Sequence, residues 1–364
     1  MSKIIEGFPK DFGFRMPGEH EPQSEVWMAW PIRGDNWRFS GKLAQQAFVE
    51  VAHAISQTTQ VVMLVAREQY ANARSQLSDQ IKVVEMSYND CWMRDIGATY
   101  LVNDNGQRMC VDWHFNAWGG LNDGLYFPWD LDDVVADKMA NITGDNLFKA
   151  PLVLEGGSIH SDGDGTIYTT EECLLHPSRN PHLSKLEIEE LLLAYLGAEK
   201  VIWLPNGLYN DETNGHIDNI LHVVNPGEVA LTWCEDVSDP QYVISRNAYD
   251  VLSTQLDAKG RSIKVHKLPM PGPLYIEEHE AFGIDQSEGM VRETGERLAA
   301  SYANFLITNG RIVFPLLDAN NDALAKGVLE EAFPGYEVIG VNAREILLGG
   351  GNIHCITQQV PSLS

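Results

Sequence analysis

Runs of β-prone residues recur along the chain. Each is broken by an Asn-Gly or Asp-Gly type turn and answered by a second run. Trp92 to Asn103 turns at Asp104-Asn-Gly and returns through Met109 to Trp113. Gly156 to His160 turns at Asp162-Gly-Asp-Gly and returns through Thr166 to Thr170. His216 to Val224 turns at Asn225-Pro-Gly and returns through Glu228 to Trp233. Tyr302 to Ile307 turns at Thr308-Asn-Gly and returns through Arg311 to Pro315. A fifth start, Leu348 to Cys355, has no return run after it. The N-terminal run Glu25-Val-Trp-Met-Ala-Trp-Pro is expected to supply that strand and close a ring.

Between the hairpins the apolar spacing changes to that of helices. Gly41 to Ile55 carries apolar residues at helical intervals. Ser184 to Gly197 has a Ser N-cap, Glu187 three residues on, and Gly197 at its end. Asp322 to Phe333 stops at Pro334-Gly335. Short strands follow at Gln60–Val65, Lys200–Leu204, Arg261–His266 and Tyr336–Gly340. The unit is hairpin, helix, strand, and roughly five copies arranged about an axis fit the chain. Leu154-Glu-Gly-Gly-Ser-Ile-His and Leu348-Gly-Gly-Gly-Asn-Ile-His share Leu, two Gly, Ile and His in register, which supports a repeated unit. No linker or low-complexity stretch divides the 364 residues, so one α/β domain over 1–364 is expected.

In this arrangement the polar starts of the hairpins converge at one mouth, and the notable side chains sit there. Cys355 follows three glycines that let the backbone approach something closely. His216 and Asp218 lie in Asp211-Glu-Thr-Asn-Gly-His-Ile-Asp-Asn; on a strand they would point the same way. Asp95 and Glu155 each stand at the start of a hairpin. Each alone reads as a solvated acid; their recurrence argues for a site. Trp92 and Trp118 could wall a slot for a cation, with core packing the alternative. His354 should face away from Cys355 on an extended strand, and Arg94 away from Asp95. A thiol, an imidazole and several carboxylates on separate turns are the parts of a covalent catalyst acting on a cationic substrate.

Charge narrows the field. With 26 basic and 51 acidic side chains the net charge is -25, which argues against nucleic-acid binding and favours a cationic ligand. No apolar run approaches the roughly 20 residues of a membrane span, and no secretory signal is read at Met1-Ser-Lys-Ile-Ile-Glu-Gly. Five cysteines without a CxxC spacing fit free thiols in a cytoplasmic protein, and the Cys and His spacings match no zinc pattern. Cys91, Cys110, Cys173 and Cys234 read as buried hydrophobes.

Asn89-Asp-Cys-Trp-Met-Arg-Asp, Leu154-Glu-Gly-Gly, Asp211-Glu-Thr-Asn-Gly-His-Ile-Asp-Asn and Gly349-Gly-Gly-Asn-Ile-His-Cys-Ile-Thr-Gln-Gln together resemble the agmatine deiminases. These are a branch of the guanidino-group-modifying enzymes that also contains bacterial peptidylarginine deiminase. The likeness runs from about Phe8 onward; Ile96-Gly-Ala departs from a Gly-Pro pair frequent in relatives, at a turn. The resemblance implies a five-bladed α/β propeller and hydrolysis of agmatine to N-carbamoylputrescine and ammonia, with neither metal nor cofactor. It implies Cys355 as nucleophile, His216 as general acid and base, and Asp95, Glu155 and Asp218 as guanidinium-binding and orienting carboxylates. Acids near the mouth, Asp211 or Glu212, could take the amine end of a small guanidine, with Gly350 at the cavity wall. Arginine, peptidyl arginine and amidino transfer stay open as alternatives. Nearby carboxylates should raise the Cys355 thiol, so the thiolate is expected mainly in the complex. A homo-oligomer is the base-rate expectation.

Overall fold

The computed structural model describes residues 2–286 and 291–363. It is an α/β fold with five small mixed sheets. The first contains β1 (Gln23–Ala29), β2 (Gln60–Val65) and β3 (Lys82–Glu85). The second is β4 (Thr99–Val102), β5 (Arg108–His114) and β6 (Asn146–Val153). The third is β7 (His160–Ser161), β8 (Thr166–Thr170) and β9 (Lys200–Leu204). The fourth is β10 (Leu221–Asn225), β11 (Glu228–Trp233) and β12 (Lys264–Pro269); the fifth is β13 (Leu306–Thr308), β14 (Arg311–Leu316) and β15 (Glu337–Asn342).

The last four sheets repeat one rule. Two strands pair antiparallel across a tight turn, and a third adds parallel to the second after a crossover. The helices at Lys185–Tyr195, Gln241–Thr254 and Asp322–Ala332 make three of these crossovers. The first sheet obeys the rule only by borrowing. β16 (Gln358–Pro361) pairs antiparallel with β1, with Trp27 opposite Gln358 and Glu25 opposite Val360. The N-terminal run thus completes the fifth start, as the sequence pattern predicts.

The helix Lys42–Ser56 buries Phe48, Val51, Ala52 and Ile55 against β2 and β15. At about 1.5–3 kcal/mol for a fully buried large apolar side chain, that face fixes the helix to the sheets. Ser184 and Glu187 form a reciprocal capping box at the start of Lys185–Tyr195, and Gly197 takes a positive φ of 61° just past its end. The predicted strand Arg261–His266 sits three residues later, at β12, because Asp257 accepts backbone N–H bonds from Lys259 and Arg261 and holds that stretch in a turn.

Candidate active site

The hairpin starts are one-turn helices rather than strands. Asp95 lies on Met93–Ile96, Asp218 on Ile217–Ile220 with His216 just before it, and Gly157 on the 3-10 turn Gly156–Ser158. Cys355 sits in a turn over 353–356. The extended conformation expected at these points is therefore replaced by turns. Arg94 and His354 both turn inward and are buried. The Arg94 amide donates to the Cys355 carbonyl at 3.0 Å, which ties two of these turns together.

Gly157 locates the centre. A Cβ built there would lie 2.6 Å from His216 Nδ1, 2.8 Å from Asp95 Oδ1 and 3.0 Å from Asp218 Oδ2. Three functional atoms from two other hairpin starts thus face one notch, on a third start, that only glycine leaves open. The Gly157 amide donates to Asp95 Oδ1 at 2.9 Å, and Trp118 Nε1 donates to Oδ2 at 3.0 Å. Trp118 reaches that position with φ of 64°, a left-handed conformation uncommon for a bulky residue and frequent at functional sites. Cys355 Sγ lies 3.7 Å from Asp218 Oδ2 and accepts from Asn304 Nδ2 at 3.1 Å. His216 Nε2 is 3.4 Å from Glu155 Oε2, and Arg179 Nε is 2.8 Å from Glu155 Oε1.

All of these groups are buried, and that governs their charge. Burial pushes the Cys355 thiol well above its ordinary value, with Asp218 and Asp95 adding to the effect. Burial also raises Asp95, to about 6, against the pull of His216. For His216 burial acts downward, but Asp95, Cys173 and Glu155 outweigh it and hold the imidazole well above its usual range. Glu155 is raised by burial yet ends lowered, through Arg179 and His216. The resting site is thus a neutral thiol facing ionised carboxylates and an imidazolium.

Above the notch opens a cavity of about 350 Å³, including its mouth. Trp92, Trp118, Asp95, Gly350 and Cys355 line it, as the sequence reading places them. Two expectations need correction. Asp211 does not line the cavity. Its carboxylate accepts from Thr213 and from the His216 amide and Asn219 side chain, each at 2.8–3.0 Å, so it staples the loop that carries His216. Glu212 does line the cavity but is not free. Arg292 forks onto it at 2.9 and 2.6 Å and also donates to the Gly349 carbonyl at 2.8 Å.

Two groups among the described residues bring metal-type donors together: Glu19, His160, His222 and His354; and Glu155, Cys173 and His216. In each an arginine already stands at the carboxylate, Arg94 Nη2 3.6 Å from Glu19 and Arg179 Nε 2.8 Å from Glu155. A resident guanidinium opposes a second cation, so both are hydrogen-bonded charge networks rather than metal centres.

Residues 15–361 match the family model of the Porphyromonas-type peptidyl-arginine deiminases. The chain belongs to this family. Within the peptidyl-arginine deiminase family it is 64% identical, over all of both chains, to a Photobacterium profundum protein provisionally named agmatine deiminase. The solved agmatine deiminase of Enterococcus faecalis is 50% identical and superposes with a TM-score of 0.97 over all of both chains. A cysteine-to-serine variant of the C. jejuni agmatine deiminase, solved with substrate bound, is 28% identical with a TM-score of 0.83, covering 96% of this chain and 97% of that one.

Sequence reading missed Arg179, Asn304 and Glu19 in this family member. Arg179 follows His176-Pro-Ser, donates to the Trp118 and Thr213 carbonyls and forms an ion pair with Glu155. Asn304 sits inside the Tyr302–Ile307 run, where a polar residue two positions from β13 was the available signal. Glu19 lies in a Pro-Gly-Glu-His turn that carries no pattern.

Proposed function

We propose that this chain hydrolyses agmatine to N-carbamoylputrescine and ammonia through a covalent intermediate on Cys355. One observation carries the reading: an imidazolium and two carboxylates face the notch at Gly157, and a buried thiol stands 3.7 Å from one of those carboxylates. A guanidinium is planar and donates in pairs, which matches Asp95 and Asp218 on the two sides of that notch. Its positive charge offsets the repulsion that keeps Cys355 protonated, so the thiol gives its proton to solvent as substrate binds and the thiolate forms with substrate in place.

The thiolate then attacks the guanidinium carbon and a C–S bond forms. His216 delivers its proton to an amino group, the C–N bond breaks, and ammonia leaves with a thiouronium remaining. His216, now neutral, takes a proton from water as the oxygen adds to that carbon. Collapse breaks the C–S bond, and the second water proton passes to the departing sulfur, which restores the neutral thiol and leaves the ureido product. Asn304, donating to Sγ, stabilises the thiolate at both ends of the cycle. Glu155, held by Arg179, keeps the imidazole oriented and charged.

The five sheets are read as blades of one α/β propeller whose hairpin starts meet at this site. The whole chain is one catalytic unit, feeding putrescine formation in the cytoplasm, and the expectation of a homo-oligomer stands with it. The full-length likeness to proteins named agmatine deiminase supports the substrate. Arg292 at the mouth favours a second reading, because a basic residue suits the carboxylate of arginine. Its fork onto Glu212 weighs against that. The test is release of ammonia and ureido product from agmatine, arginine and a peptidyl arginine, in wild type and Cys355→Ala. Turnover of agmatine alone, lost in the variant, is expected; turnover of arginine or peptide moves the specificity, and no turnover of any guanidine rejects the reading.

A further inference from the structure

Behind Asp218 lies a charge network that the reaction above does not use. His354 Nδ1 is 2.8 Å from Asp218 Oδ2, and its Nε2 is 2.8 Å from Glu19 Oε2. Both nitrogens thus face carboxylate oxygens. A neutral imidazole has one N–H and could satisfy only one of them, whereas an imidazolium satisfies both. This occupancy also prevents His354 from taking the proton of Cys355, its neighbour in sequence.

Every element packed around the pair contributes. Arg94 Nη2 lies 3.6 Å from Glu19 Oε2 and its Nε donates to the His354 carbonyl at 3.4 Å. The Ile307 amide donates to Glu19 Oε1 at 2.6 Å, and His222 Nε2 approaches the same oxygen at 3.5 Å. The rings of His160 and His222 lie 5.0 and 4.9 Å from that of His354. The same Asp218 oxygen has Cys355 Sγ at 3.7 Å and faces the notch with His216 and Asp95. Two carboxylates, Glu19 and Asp218, are balanced by two cations, His354 and Arg94.

We propose that His354 and Glu19 are positioning residues: the imidazolium clamped between Glu19 and Asp218 holds Asp218 as a fixed carboxylate aimed at the guanidinium. This rests on the deimination reading given above. Burial and Arg94 act to lower His354, but Glu19 and Asp218 raise it overall; Asp218, raised by burial, ends lowered chiefly through His354. Without the clamp, Asp218 would face the Cys355 sulfur and Asp95 with its main positive partner gone, and it would take up a proton as the site desolvates.

The kcat/KM profile of His354→Gln with agmatine tests the clamp. Gln keeps a donor but no charge. A loss of about 10²-fold is expected from a misplaced substrate-binding carboxylate, with the acidic limb set by Asp95 shifted toward higher pH and made steeper as Asp218, its cation gone, takes up a proton as well. An equal loss at every pH, with the limb unmoved, would reduce His354 to a packing residue and overturn the proposal. A substrate-free readout covers a variant that does not fold and a wild type that turns over no guanidine. Histidine 15N NMR of wild-type protein should find His354 doubly protonated at pH 7 and above, with its titration moved to lower pH in Glu19→Gln. A singly protonated His354 at pH 7 in wild type would overturn the clamp whatever the substrate proves to be.

Discussion

The floor and the mouth of the cavity are built on opposite principles. At the floor Glu155, His216, Asp218 and His354 are fully or almost fully buried, and each charge has an opposite partner within 2.8–3.4 Å. At the mouth Glu212 and Arg292 pair closely as well, but with solvent beside them. The same ion-pair chemistry therefore does different work. In the floor, removing one partner strands a charge in low dielectric; in the mouth, water replaces it.

The largest expected effect is at the reacting atom. Cys355→Ala should lower kcat by at least about 10³-fold while the thermal midpoint moves little, measured by ammonia release beside calorimetry. Next is Arg179→Met, which leaves Glu155 buried without its guanidinium. It should destabilise the fold by about 3–5 kcal/mol, read by denaturant unfolding; a loss under about 1 kcal/mol would put the floor on the same footing as the surface.

Gly157→Ala places a methyl carbon among His216, Asp95 and Asp218, so about 10²-fold of kcat/KM should be lost, and unchanged kinetics would show that the notch is not where the guanidinium lies. Acidity gives a milder perturbation. As pH falls below about 6, Asp95 protonates and kcat/KM should fall about tenfold per unit. Because its folded pKa is raised, Asp95 opposes folding at neutral pH; that opposition fades as pH drops from about 6 toward its ordinary value of 3.8. Asp95→Asn should therefore be at least as stable as wild type at pH 7 in denaturant titrations.

The smallest effect belongs to the mouth. Arg292→Gln should change kcat/KM for agmatine by less than about tenfold, since the pair stands at the mouth, where water reaches part of it and screens the loss. Its value lies in sharpening the contrast. A rise in agmatine affinity would mark Glu212 as the amine acceptor that Arg292 shields, and a loss confined to arginine would favour the second reading.

Much of this was legible in the residues. The Asn-Gly and Asp-Gly turns locate four hairpins, and period and capping locate the helices Lys42–Ser56, Lys185–Tyr195 and Asp322–Ala332. Cys355, His216, Asp95 and Asp218 stand out because glycine-rich approaches are costly unless something must come close. What escaped has a common cause. One-turn helices such as Met93–Ile96 and Ile217–Ile220 are too short to show a period, so an extended-strand reading misses that Arg94 and His354 are buried together at Glu19. Glu19, Arg179 and Asn304 act through contacts between distant segments, and no local pattern encodes such a contact. Asp211 and Glu212, adjacent acids in one loop, could not be told apart until the fold gave one to the backbone and the other to Arg292.

The pairing of β16 with β1 also sets an order of assembly. Four sheets begin from hairpins whose strands are neighbours in sequence, and loops that short close quickly. Glu25 must find Val360, a closure spanning nearly the whole chain and slow for that reason. Cys355 stands just ahead of β16, so the strand that completes the first sheet also draws the proposed nucleophile toward the notch. The scaffold can therefore gather early around an unarmed centre, and reactivity arrives with the last stitch of the fold.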